Sequence, residues 1–180
     1  MLIPYAKVNG EWNIPDHLMM GMYTKLKAQN LHKTVFYDGS VNSEHEFLLV
    51  MQNTENLPII AFDEVPIGMG WINGISFKYA LCHHFFFKEF WGKKTVEGAK
   101  SFIDYWFSMK DDKGYIFNTL LGMTPSNNKL AVRFLDKINF HKVGEIPHIG
   151  VISYTERSEW AANPANPTSE QQERQPVSSS

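Results

Sequence analysis

The stretch Phe90-Trp91-Gly92-Lys93-Lys94-Thr95 joins an apolar run to a segment of helical periodicity. Where a strand turns into a helix, several backbone N–H groups converge on one point, and the helix dipole favours an anion there. Phosphate-holding loops of this kind usually carry several glycines, whereas here Gly92 stands alone ahead of two lysines. A lysine Cβ resists the positive φ that a tight anion nest can demand. Its ammonium, however, adds a point charge beside a phosphate. The stretch reads either as a glycine-poor anion cradle or as a helix start solvated by Lys93 and Lys94.

Just upstream, Cys82-His83-His84 presents three groups with reactive chemistry. Successive strand residues project to opposite faces of a sheet, so the three do not converge on one ion, and no second cluster supplies partners. No metal site is expected. Cys82 is expected to act as a small core residue rather than a nucleophile. One histidine should face any cleft beside this strand and serve as a general base, with His84 preferred over His83 and Glu89 a third candidate. The alternative for each histidine is a polar strand residue satisfied by a hydrogen bond. Phe85-Phe86-Phe87 suits the core on both faces of a central strand.

The elements that must position these residues follow from period and punctuation. A helix is expected from Asp16, as its cap, to about Gln29, and a second over Ser43 to Gln52. Strand-like runs follow at Leu57 to Phe62, Ile67 to Ser76 and Lys78 to Phe87, joined by turns that favour antiparallel hairpins. After the lysine loop, a helix from Thr95 to Met109 turns Val96, Ala99, Phe102, Ile103 and Trp106 inward. Tyr115 to Met123 reads as one buried strand, and Thr124-Pro125 as the start of the next helix. That helix should end at Asn139, an asparagine suited to the left-handed position. Asn128 near its start is either a simple N-terminal residue or a ligand contact. "FHKVGEIPHI" and "GVISYTE" give a final pair of strands. The fold class is α+β, a mixed and mostly antiparallel sheet flanked by helices.

The chain has 180 residues, a formal net charge of −2 and one cysteine. Such length suits one domain with a real core. The charge balance gives no general reason to expect nucleic-acid or acidic-membrane binding. No apolar run approaches transmembrane length, no secretory leader is expected, and a single cysteine suits a reducing compartment. A cytoplasmic protein is therefore expected. Residues 1–157 are expected to form the domain. Residues 158–180, rich in Pro, Ser, Gln and Asn, are expected to form a disordered tail that could serve as a docking arm.

Two stretches, "ALCHHFFFKEFWGKKTVEGAKSFIDYWF" and "SNNKLAVRFLDKINFHKVGEI", resemble the GCN5-related N-acetyltransferases (GNAT), in particular the branch that modifies ribosomal proteins and related amines. Glu89, Phe90, Trp91, Gly92 and Lys93 fit the first motif, and Asn128, Ala131, Phe140, Val143 and Gly144 the second. Together they cover most of residues 57 to 157. The resemblance implies an acyl-CoA N-acyltransferase fold, and acetyl-CoA as co-substrate. The implied cofactor contacts are Phe86, Phe87, Trp91, Gly92, Lys93, Lys94, Thr95 and Asn128. It also implies a primary-amine acceptor attacking the thioester directly in a ternary complex, with the early helices shaping the acceptor side. Two departures stand out: the family's second loop glycine is Lys94, and its frequent tyrosine acid aligns with Leu135. These leave room for a second expectation, a non-catalytic GNAT-fold structural protein such as a phage head-assembly factor.

Overall fold

The computed structural model describes residues 1–166. The chain opens with strand β1 (Leu2–Pro4), the small hairpin β2 (Lys7–Val8) and β3 (Glu11–Trp12), and helices α1 (Asp16–Ala28), α2 (His32–Val35) and α3 (Glu44–Gln52). A meander follows: β4 (Leu57–Asp63), β5 (Val65–Ser76) and β6 (Tyr79–Phe86). Helix α4 (Lys93–Ser108) leads to the hairpin β7 (Lys110–Asp111) and β8 (Gly114–Tyr115), then β9 (Thr119–Thr124). Helix α5 (Lys129–Lys137), strands β10 (His141–Ile146) and β11 (Gly150–Glu156), and helix α6 (Arg157–Ala162) complete the described chain.

Seven strands form one sheet in the order β1-β4-β5-β6-β9-β11-β10, and only the β6–β9 pair is parallel. The mixed α+β arrangement expected from the sequence is therefore present. Helices cover both faces. Met19, Met22, Tyr23 and Leu26 of α1 and Phe47, Leu48 and Met51 of α3 bury against Ile60, Met69, Trp71, Phe85 and Phe87. On the other face, Phe102, Ile103, Trp106 and Phe107 of α4 bury against Ile59, Ile72, Ala80, Phe86 and Leu120. The phenylalanine run of β6 thus serves both cores, as its alternation dictates.

Gly70 on β5 is what lets α4 lie close. A Cβ there would sit 2.9 Å from Cδ2 of Phe102 and 3.0 Å from the Trp106 ring. The two rings therefore press directly onto the strand backbone.

Several boundaries differ from the sequence expectation. Asp16 is the first helical residue rather than the cap, and its carboxylate accepts from Gln52 (2.9 Å). Ser43 does cap α3, accepting from the Glu46 N–H. The run Tyr115 to Met123 is broken at residues 116–118, where Asn118 N–H turns back to the Lys78 carbonyl (2.7 Å). Thr124-Pro125 does not start a helix: α5 begins four residues later, capped by Asn128, whose Oδ1 accepts from Ala131 N–H. Asn139 adopts the left-handed conformation (φ 59°) just past α5, as expected.

Residues 158–166 are not an unstructured tail. Helix α6 buries Trp160 to 2 % exposure against Phe107. The remainder of the expected tail, residues 167–180, lies outside the described residues.

Candidate functional site

Strands β6 and β9 run together for only three residue pairs, Tyr79–Thr119, Ala80–Leu120 and Leu81–Leu121. Beyond that point they part, while β6 stays paired to β5 as far as Phe86. The hydrogen-bond parity of β6 follows from its ends. Phe87 N–H donates to the Ile67 carbonyl (3.0 Å), so odd-numbered residues turn their backbone groups toward β5. The Lys78 carbonyl accepts from Thr119 N–H (3.2 Å), so even-numbered residues turn theirs toward β9. Past Leu81 the backbone groups of Cys82, His84 and Phe86 therefore face a widening gap that β9 has left.

A cleft of about 900 Å³ opens there, lined by Cys82, His83, His84 and Phe86 of β6 and by Gly122, Met123 and Thr124 of β9. The start of α4 forms its end wall through Trp91, Gly92, Thr95 and Val96. Val96 N–H is the first to reach an intrahelical carbonyl, that of Gly92 (3.3 Å). The N–H groups of Lys93, Lys94 and Thr95 precede it and lack intrahelical acceptors. No side chain caps the helix, and no acidic residue lies in its first turn. The helix therefore offers free donors and its positive dipole end to an external anion.

Only Gly92 in this turn is left-handed (φ 115°). Lys93 and Lys94 already belong to the helix, so the Cβ of Lys94 meets no steric conflict. The lysine side chains nonetheless turn away from the cleft. Lys93 reaches Glu97 (3.5 Å) and is 89 % exposed, while Lys94 pairs with Asp63. What this turn offers the cleft is therefore backbone N–H, and the Lys93 and Lys94 ammonium groups, expected beside the anion, turn to Glu97 and Asp63 instead.

Two further site residues are displaced. Glu89 is held by Lys25 of α1 (2.5 Å) and by Gln29 just past its end (2.7 Å), the Lys25 hydrogen bond lowers its pKa, and it lies outside the cleft lining. Phe87 is buried against α1 beneath the Lys25 ammonium, and its N–H is committed to Ile67. Phe86, Trp91, Gly92, Thr95 and Asn128 do line the cleft. Asn128 spends its Oδ1 on the α5 cap. The Trp91 indole N–H donates to the Phe86 carbonyl (2.9 Å), closing one of the gap-facing backbone acceptors.

The histidines lie on opposite faces of β6. His84 sits between Phe86 (5.9 Å) and Phe134 of α5 (5.6 Å). His83 stacks on Trp71 (4.9 Å) on the α1–α3 side, and its Nε2 lies 3.1 Å from Asn73 Oδ1. With Oδ1 as acceptor, Nε2 carries the proton and Nδ1 is left as the free acceptor. Burial drives both imidazoles down to about 4; the Asp38 charge opposes this at His83, whereas His83 itself adds to it at His84. Cys82 is the converse case: burial pushes its thiol up to about 12, so it stays protonated and non-nucleophilic. The residues that the sequence reading missed, Leu31, Lys33, Thr34, Val35 and Tyr37 around α2, wall the cleft on the His83 side. Four helical residues after α1 carry too short a period to announce themselves.

The neutral imidazoles have a consequence for stability. In the unfolded chain each takes up a proton below its ordinary value near 6.5, whereas the folded protein resists until about 4. The unfolded state then binds more protons, so stability present above pH 6.5 drains away as pH falls toward 4. Urea midpoints measured at pH 7.5 and pH 5 should show a clear drop at pH 5. Equal midpoints would mean that both rings are free to charge in the folded protein.

The overall fold is shared with solved structures. A spermidine N-acetyltransferase from Vibrio cholerae, in complex with CoA and spermine, superposes with a TM-score of 0.64 at 14 % identity, over 87 % of this chain and 96 % of that one. An aminoglycoside acetyltransferase, AAC(6')-Ib, in complex with coenzyme A and kanamycin gives 0.68 at 12 % identity, over 91 % and 99 %. The ribosomal-protein-S5-alanine acetyltransferase from Vibrio fischeri gives 0.61 at 12 % identity, over 82 % and 92 %. No protein-family model matches the sequence, and no curated protein sequence does. The chain has the acyl-CoA N-acyltransferase (GNAT) fold. At these identities the likeness establishes the architecture, and the activity must be argued from the site.

Proposed function

We propose that the protein is an acetyl-CoA-dependent N-acetyltransferase acting on a primary amine. The observation that carries this reading is the parting of β6 from β9 after Leu81 and Leu121, directly beside the uncapped start of α4. One end of the cleft is fit for a pyrophosphate, and the strand edge between is fit for an amide-bearing arm. The structural neighbours crystallised with CoA and with amines support the same assignment.

When bound, acetyl-CoA supplies the thioester that is the acetyl donor. The N–H groups of Lys93, Lys94 and Thr95 would hold its pyrophosphate, and the gap-facing backbone of Cys82 and His84 its pantetheine arm. Arg133 and Lys137 of α5, which line the same cleft, add positive charge. His83 is the proton acceptor: its Nδ1 is free, Asp38 stabilises the charged ring, and its face of β6 is the one bounded by α2. His84, lodged between two phenylalanines, lacks such support, so the base moves from one histidine to its neighbour. With acetyl-CoA bound, Nδ1 of His83 would take the proton that the acceptor amine loses as its nitrogen bonds to the acetyl carbon, the C–S bond breaking to release CoA as the thiolate. Cys82 does not compete for the acetyl group because its thiol is not ionised.

The non-catalytic reading draws on one feature: Leu135 lines the cleft where the family often has a tyrosine acid. A role as a phage head-assembly factor belongs to this second reading. A cytoplasmic setting fits the enzyme reading, since a single cysteine suits a reducing compartment.

Calorimetric titration with CoA and acetyl-CoA, followed by turnover of an amine panel across pH 5 to 10, tests the assignment. Micromolar binding is expected, together with a rate that climbs with pH toward the acceptor's own pKa without a break near 6.5. His83→Gln should lower kcat by roughly 10²-fold or more. Absence of CoA binding at millimolar concentration removes the enzyme; tight binding without turnover favours the second reading.

A further inference from the structure

The cleft is lined from both sides of the opened sheet, and its two sides form two rooms for a ligand. On the α4–α5 side lie the uncapped helix start, Arg133 and Lys137. On the other side, Leu31, Lys33, Val35 and Tyr37 face Trp71 and His83. Among the described residues no carboxylate lines either room; the charged side chains there are Lys33, Arg133 and Lys137, all cationic. Asp38, next to Tyr37, bears on the second room through its charge on His83; burial raises its pKa, but bonds from the Ser40 hydroxyl (2.7 Å) and N–H (3.1 Å) outweigh this and leave it lowered. Lys33 is exposed and has no ion pair among the described residues, unlike Lys25, Lys27, Lys93 and Lys94.

We infer that the acceptor is a monoamine bearing an apolar body and an anionic group, an amino carboxylate being the simplest case, and that polycationic amines are poor substrates. This rests on the acetyltransferase reading and adds the substrate class. A polycation entering this room finds no line of carboxylates to neutralise its second and later charges, and it meets Lys33 head-on. Like charges brought together in this way select against a partner as effectively as contacts select for one. An apolar body instead packs against Leu31, Val35 and Tyr37, and a carboxylate finds the unpaired ammonium of Lys33. The single reacting nitrogen is left for His83. Asp38 is suited to one ammonium and not to several, since the Ser40 hydroxyl and N–H already occupy part of its acceptor capacity.

The test measures acceptor binding to the CoA-loaded full chain by calorimetry, using L-phenylalanine, L-phenylalaninamide, spermidine and kanamycin. L-phenylalanine should bind roughly three- to fivefold tighter than its amide, the range expected for one exposed ion pair. It should bind at least about tenfold tighter than either polycation. Lys33→Gln should erase the preference for the acid over the amide, Lys33→Arg should keep it, and Lys33→Glu should improve spermidine. Equal binding of acid and amide overturns the proposal, as does tighter binding of spermidine or kanamycin. Binding of none of the four to a protein that does take up CoA overturns it as well. Failure in the preceding CoA titration is a separate result: it removes the acetyltransferase reading, and this proposal with it.

Discussion

Gly92→Ala is expected to weaken CoA binding by roughly five- to 150-fold while shifting the melting temperature little. The added Cβ meets nothing within 4 Å, so no packing is lost and no neighbour must move. The cost is conformational. At φ 115° and ψ −133° the backbone occupies a region open essentially to glycine, and holding alanine there costs about 1–3 kcal/mol. The turn is exposed, with Trp91 half accessible and Lys93 almost fully so, and a free protein can relax it at little expense. Binding must then restore the strained geometry to aim the first-turn N–H groups at the anion, and the cost appears in affinity. Lys93→Ala and Lys94→Ala should each change affinity by no more than about threefold, because their ammonium groups are exposed and turned to Glu97 and Asp63. A double lysine variant that loses more affinity than Gly92→Ala would relocate the anion to the side chains.

Trp160→Ala is expected to destabilise the fold by about 3–5 kcal/mol, the range for emptying a buried aromatic site. For a domain of this size that corresponds to a fall in Tm of roughly 6 to 20 °C. Trp160 is 2 % exposed and packs in the same core as Phe102, Trp106 and Phe107 of α4. Its surroundings are tied down by further bonds: Asn166 donates to the Trp160 carbonyl (3.2 Å), Asn139 donates to Asn166 (3.0 Å), and Lys100 reaches the Ala165 carbonyl (3.1 Å). These join the segment 157–166 to α4 and to the turn after α5. Thermal unfolding of the variant reads this directly; a Tm within about 2 °C of the parent would return the segment to the status of a tail.

These two residues show how unevenly the sequence discloses its structure. Gly92 is conspicuous in the sequence as a lone glycine before lysines, and the helix start beside it is legible there, because an uncapped helix start is a local property. The conformation of Lys94 is not legible from the sequence, since one residue of shift in the helix start decides whether its φ is positive. Trp160 was hidden by composition. A stretch of Asn, Pro, Ser and Gln around one tryptophan lacks periodicity, and only the hollow beside Phe107, built by residues fifty positions away, gives the ring a place to bury.

The amino-acid sequence by itself determined the alternation of helical and strand periods, the α+β class, the two-faced packing of Phe85 to Phe87, the turn at Asn139 and the location of the uncapped helix start after Gly92. All of these depend on neighbours a few residues apart. Tertiary structure alone decided that β6 and β9 separate after three pairs, that Glu89 and Phe87 belong to α1 rather than to the cleft, and that His83 rather than His84 has a polar side-chain partner. It also brought Lys33, Arg133 and Lys137 into the lining of one cleft. Strand pairing, ion-pair choice and pocket charge are settled between residues distant in the chain, where the local periodicities that reveal a helix or a strand carry no information.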